Sequence, residues 1–218
     1  MLKPGGLANF DYVKINVPLE IMTQLKARAD AIQANPGDQP SWNAELAGHL
    51  REQYGLVPGI AALDQWIRDQ ALWYNRMYNI SSTTNLFTHN VNISTGTAWM
   101  NFQRATEYNP AHFHNGLLSW VIWIQIPYSR PAEDTVFPDS KPCLNGAFQF
   151  LYTDVLGRIA TNTIELDSTW EGTMIMFPAQ FMHQVYPFYT SNQYRISAAG
   201  NVYLDTAALG GHPLIKQG

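Results

Sequence analysis

Residues 109–127 read NPAHFHNGLLSWVIWIQIP. Two histidines, His112 and His114, stand two apart just before a dense apolar run. The run Leu117–Ile126 has the composition of a buried strand. In a strand, side chains at i and i+2 point to one face, so the two imidazoles can converge on a single ion. The plainer alternative is a half-polar strand end whose histidines face water. What decides between them is whether the rest of the chain brings matching chemistry to the same place.

Two later stretches bear on that. In FPAQFMHQVYPF, His183 sits among Phe181, Met182, Val185 and Tyr186, the setting of a buried strand. Such a histidine is either a hydrogen-bonded core residue or a ligand. In YRIS, Arg195 lies inside another apolar strand. A buried arginine needs an anionic partner, because an unpaired charge in a core costs several kcal/mol. That partner is a distant carboxylate or a ligand, and Ser197 faces the same way. The remaining histidines carry less. His49 follows Glu45 by four residues on an expected helix, where surface pairing explains it. His89 and His212 lie in polar or Gly/Pro-rich contexts and are read as solvated.

The 218 residues make one large domain or a domain with an extension. A 46% hydrophobic and 13% aromatic composition is ample for a core, and 14% charged residues argue against disorder. The formal net charge of -4 comes with no basic cluster, so a nucleic-acid surface is not expected. Cys143 is the single cysteine, which excludes an intrachain disulfide and a cysteine-based zinc site. The N-terminal stretch lacks a signal-peptide core, and Leu117–Ile126 is too short to span a bilayer and contains Ser119 and Gln125. These features lead us to expect a soluble, cytoplasmic protein.

The texture changes near residue 80. Before it, FDYVKINVP reads as an opening strand. PLEIMTQLKARADAIQ places Ile21, Leu25, Ala29 and Ile32 on one helical stripe, with Pro18 suited to the first turn. SWNAELAGHLREQYGL reads as a helix capped by Ser41, and GIAALDQWIRDQALWYNRM as a helix burying Ile60, Leu63, Ile67, Ala71 and Tyr74. After residue 85, short β-branched and aromatic segments alternate with turns: TAWMNFQRAT, LLSWVIWIQIP, GAFQFLYT, RIATNTIEL, GTMIMFP and YRISAAGNVYL, with TDVLGR as a hairpin turn. The expectation is a mainly β α+β fold, a single domain over 1–218 with a largely helical support over 1–80. A jelly-roll barrel over 85–205 has a mouth for a ligand.

The order His-x-His, a distant His, then Arg-x-Ser resembles the iron(II)/2-oxoglutarate-dependent dioxygenases. The likeness is to the small prolyl-hydroxylase-like oxygenases of viral and bacterial genomes, over roughly residues 95–204. The stretches that carry it are EYNPAHFHNGLLSWVIWIQIP, EGTMIMFPAQFMHQVYPF and YRISAAGN. The resemblance implies a double-stranded β-helix, iron(II) as metal, and 2-oxoglutarate and dioxygen as cosubstrates. It implies His112 and His183 as ligands, and Arg195 with Ser197 as the grip on the far carboxylate of 2-oxoglutarate. The implied reaction hydroxylates a C–H bond while 2-oxoglutarate decarboxylates to succinate.

One position departs from the family pattern: His114 stands where a carboxylate is usual. Either His114 binds and makes a three-His face, or a carboxylate such as Glu107 steps in, or water fills the gap. The first keeps a competent ligand at the right pitch and is preferred. Trp123 and Gln125 are candidates for the cosubstrate pocket, Trp123 with a purely core role as the alternative. Asn101 and Gln103, on the strand before the histidine pair, are candidate donors to the cosubstrate. The competing functions are a three-His metal dioxygenase without 2-oxoglutarate and a non-catalytic jelly-roll binding protein. An Arg195 without a protein carboxylate favours 2-oxoglutarate.

Overall fold

The computed structural model describes residues 11–46, 48–78 and 92–205. His89, His212 and the expected change of texture near residue 80 lie outside the described residues. In chain order the elements begin with β1 (Val13–Asn16), α1 (Leu19–Ala34), β2 (Gln53–Gly55) and α2 (Ala61–Tyr78). Then come β3 (Asn92–Thr95), β4 (Trp99–Gln103), β5 (Asn109–His112), β6 (Leu118–Gln125) and the short α3 (Arg130–Glu133). The chain continues through β7 (Phe148–Thr153), β8 (Ile159–Ile164), β9 (Thr173–Pro178), β10 (His183–Val185) and β11 (Arg195–Asp205).

The strands form two antiparallel sheets. A seven-stranded sheet runs β1-β9-β6-β11-β4-β2, with β3 on β11, and a four-stranded sheet runs β5-β10-β7-β8. β6 is nearly continuous in apolar residues because both of its faces are covered. Leu118, Trp120, Ile122 and Ile124 join a core shared with Leu25 and Ile32 of α1 and Leu63 and Ile67 of α2. Ser119, Val121 and Trp123 point the other way, into a cavity between the sheets. The helices bury the stripes their periodicity sets out: Ile21, Leu25, Ala29 and Ile32 on α1, and Leu63, Ile67, Ala71 and Tyr74 on α2. Each fully buried Leu or Ile among them contributes about 1.5–3 kcal/mol relative to exposure. A second, aromatic core fills the space between the sheets around Trp123, Phe148, Phe150, Phe177 and Phe188. Asp154 and Arg158 close the β7–β8 turn, Asp154 N–H donating to the Arg158 carbonyl at 2.9 Å.

The helix expected from Ser41 does not form. Ser41 instead bridges to Tyr54, and the segment holds one 3-10 turn, Asn43–Glu45. The cause is Asn43. Its Nδ2 donates to the carbonyls of Leu50 (3.2 Å) and Arg51 (2.8 Å), and its Oδ1 accepts from Gln53 N–H at 3.0 Å. These bonds tie the ends of the segment into a loop in competition with helical bonds. Gly48 (φ +142) has no Cβ to clash with Asn109 Oδ1, which would lie 2.3 Å from one, so the loop presses onto β5. His49 is exposed, and its ring meets Tyr108 edge-on at 4.6 Å rather than pairing with Glu45 on a helix.

Candidate active site

β5 and β10 build the centre. They pair antiparallel with His112 directly opposite His183. His114 is not on that strand, since β5 ends at His112. The chain turns there, and His114 N–H donates to the Ala179 carbonyl at 2.9 Å, just after β9. So the expected same-face arrangement on one strand does not hold, yet the three rings still meet. Ring centroids are 4.3 Å apart for His112–His183, 5.0 Å for His112–His114 and 5.1 Å for His114–His183. One ligating atom from each lies within 4.8 Å of the others.

The tautomers suit a metal. His112 Nδ1 lies 2.7 Å from the Pro110 carbonyl and His183 Nδ1 2.8 Å from the Phe181 carbonyl. A carbonyl only accepts, so each Nδ1 carries its proton and each Nε2 keeps its lone pair for an ion. Burial lowers the His112 pKa. Burial, then His112, push His114 down to about 4, and burial followed by His112 pushes His183 down to about 3. All three rings are therefore neutral bases at neutral pH. Three neutral nitrogen donors at this spacing fit a first-row divalent ion. Phe148 stacks on His183 at 5.4 Å, Phe177 meets it at 5.1 Å, and Trp99 lies 5.9 Å from His114. These rings keep water from the apolar side of the centre.

The same cavity contains Arg195. It is 3% exposed, and among the described residues no carboxylate forms an ion pair with it. Its partners are neutral. Nε and Nη2 donate to Gln103 Oε1 (3.1 and 2.6 Å), Nη1 to Tyr128 Oη and the Gly146 carbonyl (2.7 Å each), and Nη2 also to the Tyr186 carbonyl (3.0 Å). Gly146 is at φ +68, flush against the Tyr128 ring, where a Cβ would lie 2.6 Å from it. A buried guanidinium with only neutral acceptors keeps a net charge that no carboxylate among the described residues balances.

Ser197, two residues on, faces the cavity and accepts from Asn101 Nδ2 at 3.2 Å, while Asn101 Oδ1 accepts from Gln53 Nε2 at 2.8 Å. Trp123 both packs and lines: it meets Trp170 edge-on at 5.3 Å and borders the cavity. Gln125 does not reach the cavity, and its Nε2 donates to the Tyr194 carbonyl at 2.8 Å. The cause is a register break between Ile196 and Ser197 where β11 pairs β6, which ends the face shared with Trp123. Glu107 is also elsewhere. Its carboxylate accepts from Arg104 N–H (2.9 Å) and Arg51 N–H (3.3 Å), and it is outside the histidine cluster. Sequence reasoning missed Tyr128 and Gly146, which carry no motif, and Gln53 at the start of β2 and Asn109 at the start of β5, which line the cavity.

Residues 97–201 match the family model described as "Putative 2OG-Fe(II) oxygenase". No curated protein matches the sequence. Among solved structures, the chain is similar to a Pseudomonas putida prolyl-4-hydroxylase at 13% identity, over 90% of this chain and 93% of that one, with a TM-score of 0.54. It is similar to a viral collagen prolyl hydroxylase from Paramecium Bursaria Chlorella virus-1, in its 2OG complex, at 13% identity over 88% and 94%, with a TM-score of 0.51. SnoK, a non-heme alpha-ketoglutarate-dependent carbocyclase from nogalamycin biosynthesis, is similar at 12% identity over 94% and 89%, with a TM-score of 0.54. At these identities the likeness is one of fold: a double-stranded β-helix of two antiparallel sheets with N-terminal helices. Among the described residues no helix is long and apolar enough to cross a membrane.

Proposed function

We propose that this chain, whose residues 97–201 match the family model described as "Putative 2OG-Fe(II) oxygenase", is an iron(II)- and 2-oxoglutarate-dependent dioxygenase that hydroxylates a C–H bond. The observation that carries the reading is Arg195, a buried guanidinium with neutral partners in the cavity where three imidazoles converge. His112 and His183 hold the metal through Nε2, and His114 is the third ligand. Arg195 receives the far carboxylate of 2-oxoglutarate, with Ser197 and Asn101 beside it and Trp123 as an apolar wall. The bound iron, with 2-oxoglutarate and dioxygen, supplies the oxidant for the C–H bond while the cosubstrate leaves as succinate and carbon dioxide.

The chain's own contribution is orientation. The Pro110 and Phe181 carbonyls fix the His112 and His183 rings. Arginine offers a planar fork that orients a carboxylate as well as neutralising it. With a neutral imidazole at 114 in place of a carboxylate, the centre is about one charge unit more positive, which favours an anionic cosubstrate. Anaerobic titration with iron(II) and then 2-oxoglutarate tests the reading. The expected result is a weak visible charge-transfer band, with succinate formed once air is admitted. Absence of both overturns it.

A second reading is a three-His metal dioxygenase that uses no 2-oxoglutarate. It is favoured by the fact that every N–H of Arg195 already has a protein acceptor. In that case the metal binds at full stoichiometry, and 2-oxoglutarate shows no affinity that depends on Arg195.

A further inference from the structure

Gln103 stands where a ligand carboxylate would have to go. It is 4% exposed, and its Oε1 bridges Nε and Nη2 of Arg195, the side-on fork that carboxylates use. The orientation of the amide is set by its neighbours. A guanidinium only donates and the Glu107 carbonyl only accepts, so Oε1 faces Arg195 and Nε2 donates to Glu107 O at 2.5 Å. The other acceptors on Arg195 are held firmly. Two are backbone carbonyls, of Gly146 and Tyr186. The third, Tyr128, donates its hydroxyl to Gly146 O at 2.8 Å, stacks on Phe188 at 4.9 Å and does not line the cavity. Gln103 and Arg195 both line it.

We propose that Gln103 is a placeholder for the incoming carboxylate and thereby a specificity-determining residue of the site. In the ligand-free protein its neutral amide keeps the buried fork bonded. On binding, a carboxylate oxygen displaces Oε1 from Arg195 and the Gln103 side chain gives way. A carboxylate wins this exchange because its full negative charge adds a Coulomb attraction to the buried guanidinium that the neutral amide oxygen lacks. A ligand end that is neutral gains nothing over the amide and is excluded. The site therefore selects for a terminal carboxylate by competition, over and above the charge of Arg195. This rests on the reading that Arg195 takes the far carboxylate of 2-oxoglutarate.

The test is anaerobic calorimetric titration of the iron(II)-loaded protein with 2-oxoglutarate, for the wild type, R195A, Gln103→Met and Gln103→Glu, with the ligand-free melting temperature of each. Gln103→Met removes the competitor at similar volume. It is expected to bind 2-oxoglutarate more tightly while its ligand-free melting temperature falls, because Nε and one N–H of Nη2 lose their acceptor and the Glu107 carbonyl loses its donor. Gln103→Glu installs a rival anion and is expected to bind at least about tenfold more weakly, since charged hydrogen bonds are worth about 1.5–3 kcal/mol. A residue with only a structural role would weaken binding in both variants. That outcome, or unchanged affinity in both, overturns the proposal. If Gln103→Met does not fold, unchanged affinity in Gln103→Glu alone overturns it. If the wild type shows no affinity that R195A removes, the functional reading itself fails, a result separate from any Gln103 effect.

Discussion

His112 and His183 lie opposite one another across the β5–β10 pair, and each ring donates Nδ1–H to the carbonyl two residues before it, Pro110 and Phe181. Two separate stretches of chain thus use one local device to aim Nε2 at a common point. His114 has no such bond among those described, and a turn, rather than a strand, brings it to the same place. This makes the three imidazoles unequal.

His183→Ala is expected to abolish stoichiometric iron(II) binding. His183 is the most buried of the three and is oriented by Phe181. Metal content after anaerobic loading and desalting measures it, with circular dichroism as the control for folding. Full retention of iron would remove His183 from the ligand set.

His114→Ala is expected to weaken metal binding, because it removes one of three ligands, but less than His183→Ala does, because no carbonyl among the described residues orients the His114 ring as Pro110 and Phe181 orient the other two. His114→Asp is expected to retain the metal while weakening 2-oxoglutarate binding, because a carboxylate makes the centre less positive. Paired metal and cosubstrate titrations check both variants. Unchanged metal affinity in His114→Ala would assign the third position to another group.

Arg195→Ala is expected to raise the Kd for 2-oxoglutarate by about tenfold or more, on the scale of 1.5–3 kcal/mol per charged hydrogen bond. Arg195→Lys keeps the charge and loses the fork, so it is expected to recover only part of the affinity. An Arg195→Ala protein that folds and binds 2-oxoglutarate as the wild type does contradicts the assignment.

The metal-free protein is expected to lose stability as pH falls from about 6.5, the ordinary histidine value. Burial lowers the His112, His114 and His183 pKa values, the latter two to about 4 and about 3. Between 6.5 and those values the unfolded chain binds protons that the folded one does not. The stability from neutral buried imidazoles is therefore complete above 6.5 and declines as pH drops toward the folded values. Chemical denaturation of the metal-free protein across pH 4–7 reads this slope (the window follows from the shifts above). Replacing His183 by Leu should flatten it, and an equally steep slope in that variant would count against the assignment.

Glu133→Ala is expected to cost about 1.5–3 kcal/mol of stability. Its carboxylate is fully buried and accepts from Tyr189 N–H, Thr190 N–H and the Thr190 hydroxyl, holding the turn that leads into β11 and Arg195. A lower denaturation midpoint at unchanged m-value is the expected readout. A change within experimental error would show that water replaces the carboxylate there.

The two long helices and the main strands were legible because each element carries its own period. The stripes Ile21–Leu25–Ala29–Ile32 and Leu63–Ile67–Ala71–Tyr74 repeat at helical spacing, and β6, β7, β9 and β11 are dense in β-branched and aromatic residues. The segment after Ser41 was misread because its helical spacing is weaker than the side-chain bonds of Asn43, which form only when the chain closes on itself. Gln125 was misread because alternation assumes a regular strand, and the break in β11–β6 register is not visible from β6 alone.

The sequence by itself determined which chemistry is on offer: three imidazoles, one guanidinium in an apolar strand and a barrel-like run of strands, all set by residue type and local period. Tertiary structure decided how that chemistry is arranged. Strand pairing set His112 against His183, a turn delivered His114, and Gln103, Tyr128 and Gly146 became the cage of Arg195. The physical reason is that burial and periodicity act between near neighbours along the chain. Convergence depends on register and close packing between strands far apart in sequence, which no local pattern encodes.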